Sequence, residues 1–382
     1  MRNFIGLLIT LMIVTSACGN QNTQNTEVQM DKPYIFILGT YTENEGEGIN
    51  LVKFDPLQER LEVLAVASDI ENPSFVISNK KENLVFATEE TGGDQGGKVT
   101  SYRLDKSTFT LERIGSVYTK GDSPCHLSLD PSEKFLIVSN YSGGNLTAIP
   151  VDEKGMLSQD VHVIQHEGKS INPRRQQAPH VHSAVFHPQE KKVFVANLGT
   201  DKVMAYDFDQ NSSNPLVPSE KGSFDVAAGS GPRHMAFNKE GDRIYVIHEL
   251  TGEIGVYGYE NGEVSHLETH TLIPEDFSGD VGAAEVRISP DGNFLYASNR
   301  GEVNNITVFQ IEEAGLSKIQ DMPSQGIAPR NFAITPDGKY LLCGNQNSDE
   351  IVVFNRNQRN GHLEPTSISL SVKKPVYFYF LD

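Results

Sequence analysis

The sequence predicts an all-β fold built from a repeated unit, and the repeat itself is the first observation behind this prediction. Six turn-forming tetrapeptides recur at intervals of 46 to 57 residues: NKKE at 79, DPSE at 130, HPQE at 187, NKEG at 238, SPDG at 289 and TPDG at 335. Each lies between two short runs of alternating apolar residues, such as PRHMAF and RIYVIHEL around NKEG. Period-two apolar runs joined by Asn, Asp, Pro and Gly turns are typical of β-hairpins.

The second observation is that two further apolar runs follow most hairpins, as ITVFQIE follows FLYASNR. Each repeat therefore predicts a sheet of four antiparallel strands, named a to d in chain order. The third is a seventh, divided unit: KPVYFYFLD at the C-terminus is a strand a, and YIFILGTYT, GINLVKFD and LEVLAVA near the N-terminus are strands b to d. A blade shared between the N- and C-termini closes a ring and covers both free edges. We predict a seven-bladed β-propeller over residues 33–382.

Charge and cysteine content narrow the possible partners. The 382 residues carry a formal net charge of −18, from 32 basic and 50 acidic side chains, so binding to nucleic acid is not expected. A local basic pocket for a small anion remains compatible with that charge. The three cysteines have no metal-ligand spacing and form no disulfide framework, so we expect neither a metal nor another cofactor. Cys125 and Cys343 are expected to be buried, and the protein to be a monomer.

The N-terminus has the layout of an export signal. Residues 1–18, MRNFIGLLITLMIVTSAC, contain one early arginine, an apolar stretch, small residues and then Cys18. TSAC followed by GN resembles a bacterial lipobox, which predicts a lipid on Cys18 and a flexible polar tether over residues 19–32. We expect a protein anchored in the bacterial cell envelope, at the periplasm or the surface, that meets the membrane only through this lipid. The alternative is a secreted soluble protein whose signal peptide is cleaved without lipidation.

Ionisable residues recur at the open ends of the hairpins. In a propeller, strand a is innermost and starts beside the end of strand b, so these ends meet at one rim of the central channel. The start of strand a carries Cys125, His182, Arg233 and Arg330. The end of strand b carries Glu90, Tyr141, Glu249, Arg300 and Gln346. Glu285, one residue further along its own strand a, is expected to join them, whereas His126 and His234 are expected to face the opposite side of their strands.

Charges gathered at one rim must pair to be buried, and this set contains both signs. Three arginines, one or two carboxylates and a histidine can hold each other in place, as structural ties between blades. The same set can hold a small anionic ligand. Arg174 and Arg175, in the loop NPRRQQAPHVH, either cap this cavity or are solvated.

Three segments carry a family resemblance: GSGPRHMAF with IYVIHEL, AAEVRISPDGNFLYASNRG, and APRNFAITPDGKYLLCGNQ. They resemble the seven-bladed propeller lactonases, which include propeller-type 6-phosphogluconolactonases and fungal carboxy-cis,cis-muconate lactonizing enzymes. The resemblance spans residues 33–382 and implies a small anionic lactone as substrate. It implies that the chemistry is carried by His182, Arg233, Glu249 and Arg300. Arg330, Asn345 and Gln346 match further positions of the family, for which a substrate-binding role is implied. Glu285 is added to the substrate-binding candidates from its place on strand a. His180 is added because PHVHS contains a second histidine, which leaves the choice between His180 and His182 open.

The expected reaction is hydrolysis of a sugar lactone, as in the 6-phosphogluconolactonases. Adjacent arginines lower the pKa of a carboxylate and weaken it as a base, so we favour His182 over Glu249 as the group that deprotonates water. Arg233 and Arg300 are expected to hold the anionic group or the developing oxyanion. Two other functions stay open: a muconate-type lactonizing isomerase, and a non-catalytic surface propeller that binds a ligand or a protein.

Overall fold

The computed structural model describes residues 32–42 and 46–381 and arranges them as antiparallel sheets. In chain order the strands are β1 Tyr34–Thr40, β2 Ile49–Asp55, β3 Arg60–Ala67, β4 Val76–Ser78, β5 Leu84–Glu89, β6 Lys98–Asp105, β7 Thr110–Tyr118, β8 Pro124–Leu129, β9 Phe135–Asn140, β10 Asn145–Pro150, β11 His162–Gln165, β12 Val181–Phe186, β13 Lys192–Asn197, β14 Lys202–Phe208, β15 Leu216–Pro218, β16 Phe224–Asp225, β17 Pro232–Phe237, β18 Arg243–His248, β19 Glu253–Glu260, β20 Glu263–Thr271, β21 Val281–Ile288, β22 Phe294–Gly301, β23 Asn305–Glu312, β24 Gly315–Pro323, β25 Pro329–Ile334, β26 Tyr340–Asn345, β27 Glu350–Arg356, β28 Leu363–Ser371 and β29 Pro375–Leu381.

The strands form seven sheets, and each sheet is one blade of a propeller. Blades 1 to 6 are built from β4–β7, β8–β11, β12–β16, β17–β20, β21–β24 and β25–β28, and blade 7 is built from β29, β1, β2 and β3. Blade 3 departs from the four-strand pattern, because its outer edge is divided between two short strands, β15 and β16, that both pair with β14. The predicted all-β, seven-bladed fold is confirmed.

Blade 7 joins the two ends of the chain, as the divided repeat predicts. The inner strand β29 pairs with β1, with Phe380 opposite Phe36 and Phe378 opposite Leu38. Both strands therefore find the partners that each would lack at an open edge.

The apolar core is divided into seven clusters, one between each pair of neighbouring blades. The cluster between blades 6 and 7 packs Phe36, Phe54 and Phe378 against Leu342 and Ile351, and all five are buried. Each fully buried side chain of this kind contributes about 1.5–3 kcal/mol to stability. Because both faces of the middle strands are covered, these strands read as nearly continuous apolar runs.

The recurring tetrapeptides close the hairpins between strands a and b. In NKEG the N–H of Gly241 donates to the carbonyl of Asn238, and SPDG and TPDG repeat this four-residue hydrogen bond. Gly241, Gly292 and Gly338 have φ of 80°, 77° and 75°, which glycine adopts without the steric cost of a Cβ. The turns fix where each hairpin opens and hence the depth of the rim residues in the channel.

The described residues contain no helix of the length and apolarity needed to span a membrane. The predicted signal peptide, Cys18 and all but the last residue of the predicted tether lie outside the described part of the chain.

Candidate active site

One polar cavity of about 490 Å³ lies at the rim where strands b end, and we call it the rim cavity. Its walls include the residue at the end of strand b in six blades: Tyr41, Glu90, Tyr141, Glu249, Arg300 and Gln346. In blade 3 the corresponding residue, Leu198, is apolar and fully buried. Six chain segments that are distant in sequence therefore contribute side chains to a single cavity.

The inner strands contribute their side chains to this rim through β-bulges. In β8, β12, β17, β21 and β25 the pairing with strand b shifts by one residue near the start of the strand. The shifts fall at the rim positions predicted for Cys125, His182, Arg233 and Arg330. An extra, unpaired residue bends a strand and redirects its side chain, and bulges are frequent beside functional sites. Cys125, His182 and Arg330 line the rim cavity.

Glu249 is the most highly coordinated group of the site. Its Oε2 lies 2.9 Å from Nε of Arg233 and 3.0 Å from Nη2 of Arg300. Its Oε1 lies 2.5 Å from Nη2 of Arg175, whose same nitrogen also donates to the hydroxyl of Tyr141 at 3.0 Å. Charge-assisted bonds of this kind fix the carboxylate in one orientation.

The charge state of Glu249 follows from these contacts. Burial alone would raise the pKa of its carboxyl group, but Arg300, Arg233 and Arg175 more than offset burial and hold this pKa well below its usual range. The carboxylate is therefore ionised at neutral pH and is a weak base.

Arg233 lies beneath Glu249 and does not line the rim cavity. It is the largest fully buried side chain of the described residues, and its Nη1 donates to the carbonyl of Ala284 at 2.5 Å. Burial, together with Arg300 and Arg330, lowers the pKa of its guanidinium to about 10, so it stays charged at pH 7. Direct contact between Arg233 and a substrate anion therefore stays a prediction. Its Nε and Nη1 donate to Glu249 and to the backbone, which favours a role in holding Glu249.

His182 lies beside Glu249, with its Nε2 3.9 Å from Oε2 of that residue and its side chain 6% exposed. Its Nδ1 lies 3.7 Å from the sulfur of Cys125, a thiol whose pKa is raised by burial and by Glu90. Burial, reinforced by Arg233, His234 and Arg330, lowers the pKa of His182 well below 6.5. The imidazole is therefore neutral at pH 7.

Arg330 faces the cavity from blade 6. Its guanidinium carbon lies 5.4 Å from the centre of the Tyr41 ring, a cation–π contact. Tyr41 in turn donates its hydroxyl hydrogen to Oε2 of Glu90 at 2.9 Å. Burial opposes the charge on Arg330, but Tyr41, Glu90 and Glu249 outweigh burial and raise its pKa.

The structure brings most of the predicted site residues together. His182, Glu249, Arg300, Arg330 and Gln346 line the rim cavity. The loop arginine Arg175 lines the cavity as well, so of the two alternatives for this residue, capping the cavity or being solvated, the structure shows the first. With Arg233 beneath Glu249, four arginines meet two glutamates, Glu90 and Glu249, and the formal net charge of the site is +2.

Three predicted substrate-binding residues lie elsewhere. Glu285 lines a different cavity, because it lies one residue beyond the rim position, in the register of His126 and His234. Asn345 is fully buried and donates to the carbonyl of Ser324 at 2.9 Å, so it ties neighbouring segments together. His180 stacks on Tyr141 with ring centres 4.5 Å apart and is not part of the cavity wall.

Tyr41 lines the cavity but is not among the site residues predicted from the sequence. It follows β1 directly, as Glu249 follows β18 and Tyr141 follows β9. The position of Tyr41 could have been predicted, because it is the residue at the end of strand b in the divided blade, as Glu249 and Tyr141 are in theirs.

Fold and site together define a class, the seven-bladed propellers with a polar, arginine-lined cavity at one rim of the channel. The family model described as lactonase, 7-bladed beta-propeller, matches residues 35–380, and the chain belongs to this family.

Relatives of known name support this assignment. A 6-phosphogluconolactonase of Bacillus subtilis is 32% identical over 352 residues, which cover 91% of this chain and 98% of the relative. A 6-phosphogluconolactonase of Formosa agariphila is 31% identical and covers 86% of this chain and 94% of its own. The solved structure of the periplasmic gluconolactonase of Pseudomonas aeruginosa is 34% identical, with a TM-score of 0.86 over 92% of this chain and 99% of that one.

Proposed function

We propose that this protein hydrolyses a sugar lactone that carries an anionic group, in the manner of a 6-phosphogluconolactonase. The observation that carries the proposal is a neutral histidine beside a carboxylate that three arginines keep ionised, in a site whose formal charge, with Arg233 included, is +2. Named relatives at 31–32% identity support the same reaction class.

His182 is the base in the proposed mechanism. A neutral imidazole whose Nδ1–H points to the Cys125 sulfur leaves Nε2 free to accept a proton from water. The water oxygen bonds to the lactone carbonyl carbon, and its proton passes to Nε2. The tetrahedral intermediate then breaks its bond to the ring oxygen, which takes the proton from the imidazolium and becomes the hydroxyl of the hydroxy acid.

The arginines at the cavity wall stabilise the oxyanion and bind the anionic group of the substrate. Arg300 is held by Glu249 and by the carbonyl of Gly282, which accepts from its Nε at 2.9 Å, and it faces the cavity beside His182. This placement suits stabilisation of the oxyanion that develops on the carbonyl oxygen. Arg330 stabilises the anionic group of the substrate, since a guanidinium donates paired hydrogen bonds to phosphate or carboxylate. Glu249 orients Arg300, and Arg233 is a positioning residue that fixes Glu249.

The pH dependence follows from the lowered pKa of His182. A base must be unprotonated, and a histidine with a pKa well below 6.5 loses activity only when the pH falls well below that value. We expect kcat/KM for lactone hydrolysis to stay level from pH 7 down past pH 6.5 and to decline only in more acidic buffer. Initial rates, corrected for spontaneous hydrolysis at each pH, measure this; a half-maximal point at or above 6.5 would contradict the assignment.

Arg330 determines the preference for a charged substrate. Removing a hydrogen-bonded charge costs about 1.5–3 kcal/mol, so Arg330→Gln should lower kcat/KM by about 10–100-fold for δ-gluconolactone 6-phosphate. Neutral δ-gluconolactone should lose much less. Arg174→Gln is the matched control, because this exposed arginine precedes Arg175 in the loop NPRRQQAPHVH and does not line the cavity. Equal losses on both lactones would contradict the role of Arg330.

The same two lactones test the proposed function itself. Purified wild-type protein should hydrolyse at least one of them, with rates proportional to protein concentration. Failure on both, with either compound bound and recovered intact, would leave a non-catalytic binding propeller as the better description.

We also propose that the protein is exported and that Cys18 carries a lipid. The signal-like N-terminus supports export, and a structural neighbour is named as periplasmic. Mass spectrometry of the mature N-terminus tests both parts: an acylated Cys18 is expected, and an intact Met1 would contradict export.

A further inference from the structure

A second cavity, of about 350 Å³, occupies the central channel further along the same inner strands, and we call it the lower cavity. In β17 and β21, Arg233 and Ala284 lie at the rim, and the next residues, His234 and Glu285, line the lower cavity. His234 and Glu285 are buried, whereas Phe237 and Ile288 at the ends of these strands are half-buried. The lower cavity therefore opens at the end of the channel opposite to the rim.

The polar groups of the lower cavity are only partly satisfied. Nδ1 of His234 lies 3.3 Å from Oε2 of Glu285, and Nη2 of Arg287 lies 3.9 Å from the same oxygen. Nε2 of His234 and Nε of Arg287 are buried, and neither has a hydrogen-bond partner among the described residues. An unsatisfied buried group of this kind costs about 1–3 kcal/mol, which a bound ligand would recover.

The lower cavity has no net charge. Burial lowers the pKa of His126 well below 6.5 and that of His234 to about 4, so both imidazoles are neutral at pH 7. Burial raises the pKa of Tyr377 to about 12, so its phenol is neutral as well. The charges that remain, on Glu285 and Arg287, are opposite. A carboxylate ligand would be repelled by Glu285 without any surplus cation to hold it. The rim cavity differs, because its three lining arginines outnumber its two glutamates.

The unsatisfied groups are one acceptor and one donor. Because Glu285 is ionised, neutral His234 donates from Nδ1, which leaves Nε2 as an acceptor, and Nε of Arg287 is a donor. A hydroxyl group both donates and accepts, so it matches this pair. Phe75 and Tyr377, with ring centres 3.7 Å apart, form an aromatic wall against which the C–H face of a sugar ring can pack.

We propose that the lower cavity is a second ligand-binding site, for a neutral polyhydroxylated small molecule of the size of a hexose. Its volume lies within the range of about 300–1,000 Å³ that small-molecule sites occupy. The ring centres of His234 and His182 are 5.3 Å apart, so His234 belongs to the wall between the two cavities. The proposal does not depend on lactone hydrolysis, because it rests on groups that the proposed mechanism does not use.

The test is calorimetric titration of the full-length protein with D-glucose as the neutral probe and D-gluconate as its anionic counterpart. D-Glucose should bind wild-type protein at a single site. Arg287→Met, which removes the free donor, and Ala236→Leu, which fills space beside it, should each weaken binding by at least about tenfold. Glu249→Gln, a rim-cavity variant, should bind D-glucose like wild type. Circular dichroism and thermal unfolding of each variant report whether it is folded.

Crystals soaked with each compound keep the proposal testable if a variant does not fold. D-Glucose should occupy the lower cavity, and D-gluconate should not. Absence of D-glucose binding to wild-type protein would overturn the proposal. So would binding that is lost in Glu249→Gln but kept in Arg287→Met, since this would assign the sugar to the rim cavity. D-Gluconate bound in the lower cavity as tightly as D-glucose would refute the neutral class of ligand.

Discussion

Replacing His182 by glutamine lowers the kcat of lactone hydrolysis by about 10²–10⁴, the usual contribution of a positioned general base. Glutamine occupies a similar space and keeps hydrogen-bonding groups near Cys125, but it cannot accept a proton from water at neutral pH. The protein should remain folded, because the imidazole makes no short hydrogen bond through either ring nitrogen; Nδ1 lies 3.7 Å from the Cys125 sulfur and Nε2 lies 3.9 Å from Glu249. Steady-state kinetics on the lactone that the wild-type protein hydrolyses measure the loss.

His180→Gln is the matched control for that experiment. His180 and His182 both belong to the segment PHVHS, but His180 stacks on Tyr141 and lies outside the cavity wall. We expect the loss in His180→Gln to be at least about tenfold smaller than in His182→Gln. Comparable losses would remove the reason for assigning the base to His182, and wild-type rates in His182→Gln would reject the mechanism.

Replacing Arg233 by methionine lowers the free energy of unfolding by about 3–5 kcal/mol, the usual cost of breaking a buried ion pair on one side. The substitution leaves Glu249 buried with one fewer partner and leaves the carbonyl of Ala284 without its donor. Arg175 and Arg300 still hold Glu249, which favours the lower end of this range. Urea denaturation at pH 7 measures the change through a lower midpoint at constant slope.

Arg243→Met is the control for stability, because Arg243 belongs to the same blade and is partly exposed. Its nearest acidic partner is Asp242, at 3.9 Å, and exposed pairs of this kind contribute about 0.2–1 kcal/mol. We also expect Arg233→Met combined with Glu249→Gln to be less destabilised than the sum of the single variants, since each alone leaves a partner unmatched. An Arg233 variant as stable as the Arg243 variant would show that the buried pair is not what supports this part of the channel.

The fold was predictable because each repeat contains the same local pattern, a turn tetrapeptide between two runs of alternating apolar residues. Each of blades 1 to 6 places a turn tetrapeptide between strands a and b, and the fourth residue is a glycine at positive φ in NKEG, SPDG and TPDG. The divided blade was predictable for the same reason, since β29 and β1 each carry an apolar pattern that needs a partner. The outer edge of blade 3 was not, because two strands of three and two residues leave no periodic signal.

The site was predictable only for residues whose position on a strand can be counted from the turn of its hairpin. Counting from the turns brought His182, Glu249, Arg300 and Arg330 to one rim, and the structure gathers them there. Counting could not foresee which way a side chain turns at a bulge. Glu285, which was expected in the rim cavity, shares the register of His126 and His234 and lies with them in the lower one.

Other site features depend on geometry that no spacing encodes. The reach of Arg175 to Glu249 belongs to a long loop without periodicity, and its contact spans 74 residues of sequence. The position of Arg233 beneath Glu249, rather than beside it, depends on packing against β21. Neither the contact of Arg175 with Glu249 nor the depth of Arg233 in the channel can be predicted from the order of residues along the chain.

The closure of blade 7 determines when a newly made chain can become functional. Synthesis proceeds from the N-terminus, so Tyr41 is made long before Gln346, which lines the same cavity. The strand β1 is likewise made long before its partner β29, which ends at Leu381. Until that last strand emerges, the apolar clusters on both sides of blade 7 lack the side chains of β29, and the lower cavity lacks Tyr377. A chain that ends before β29 therefore leaves β1 without its inner partner. Moving the termini to another blade by circular permutation would change the order of assembly while leaving the finished pocket the same.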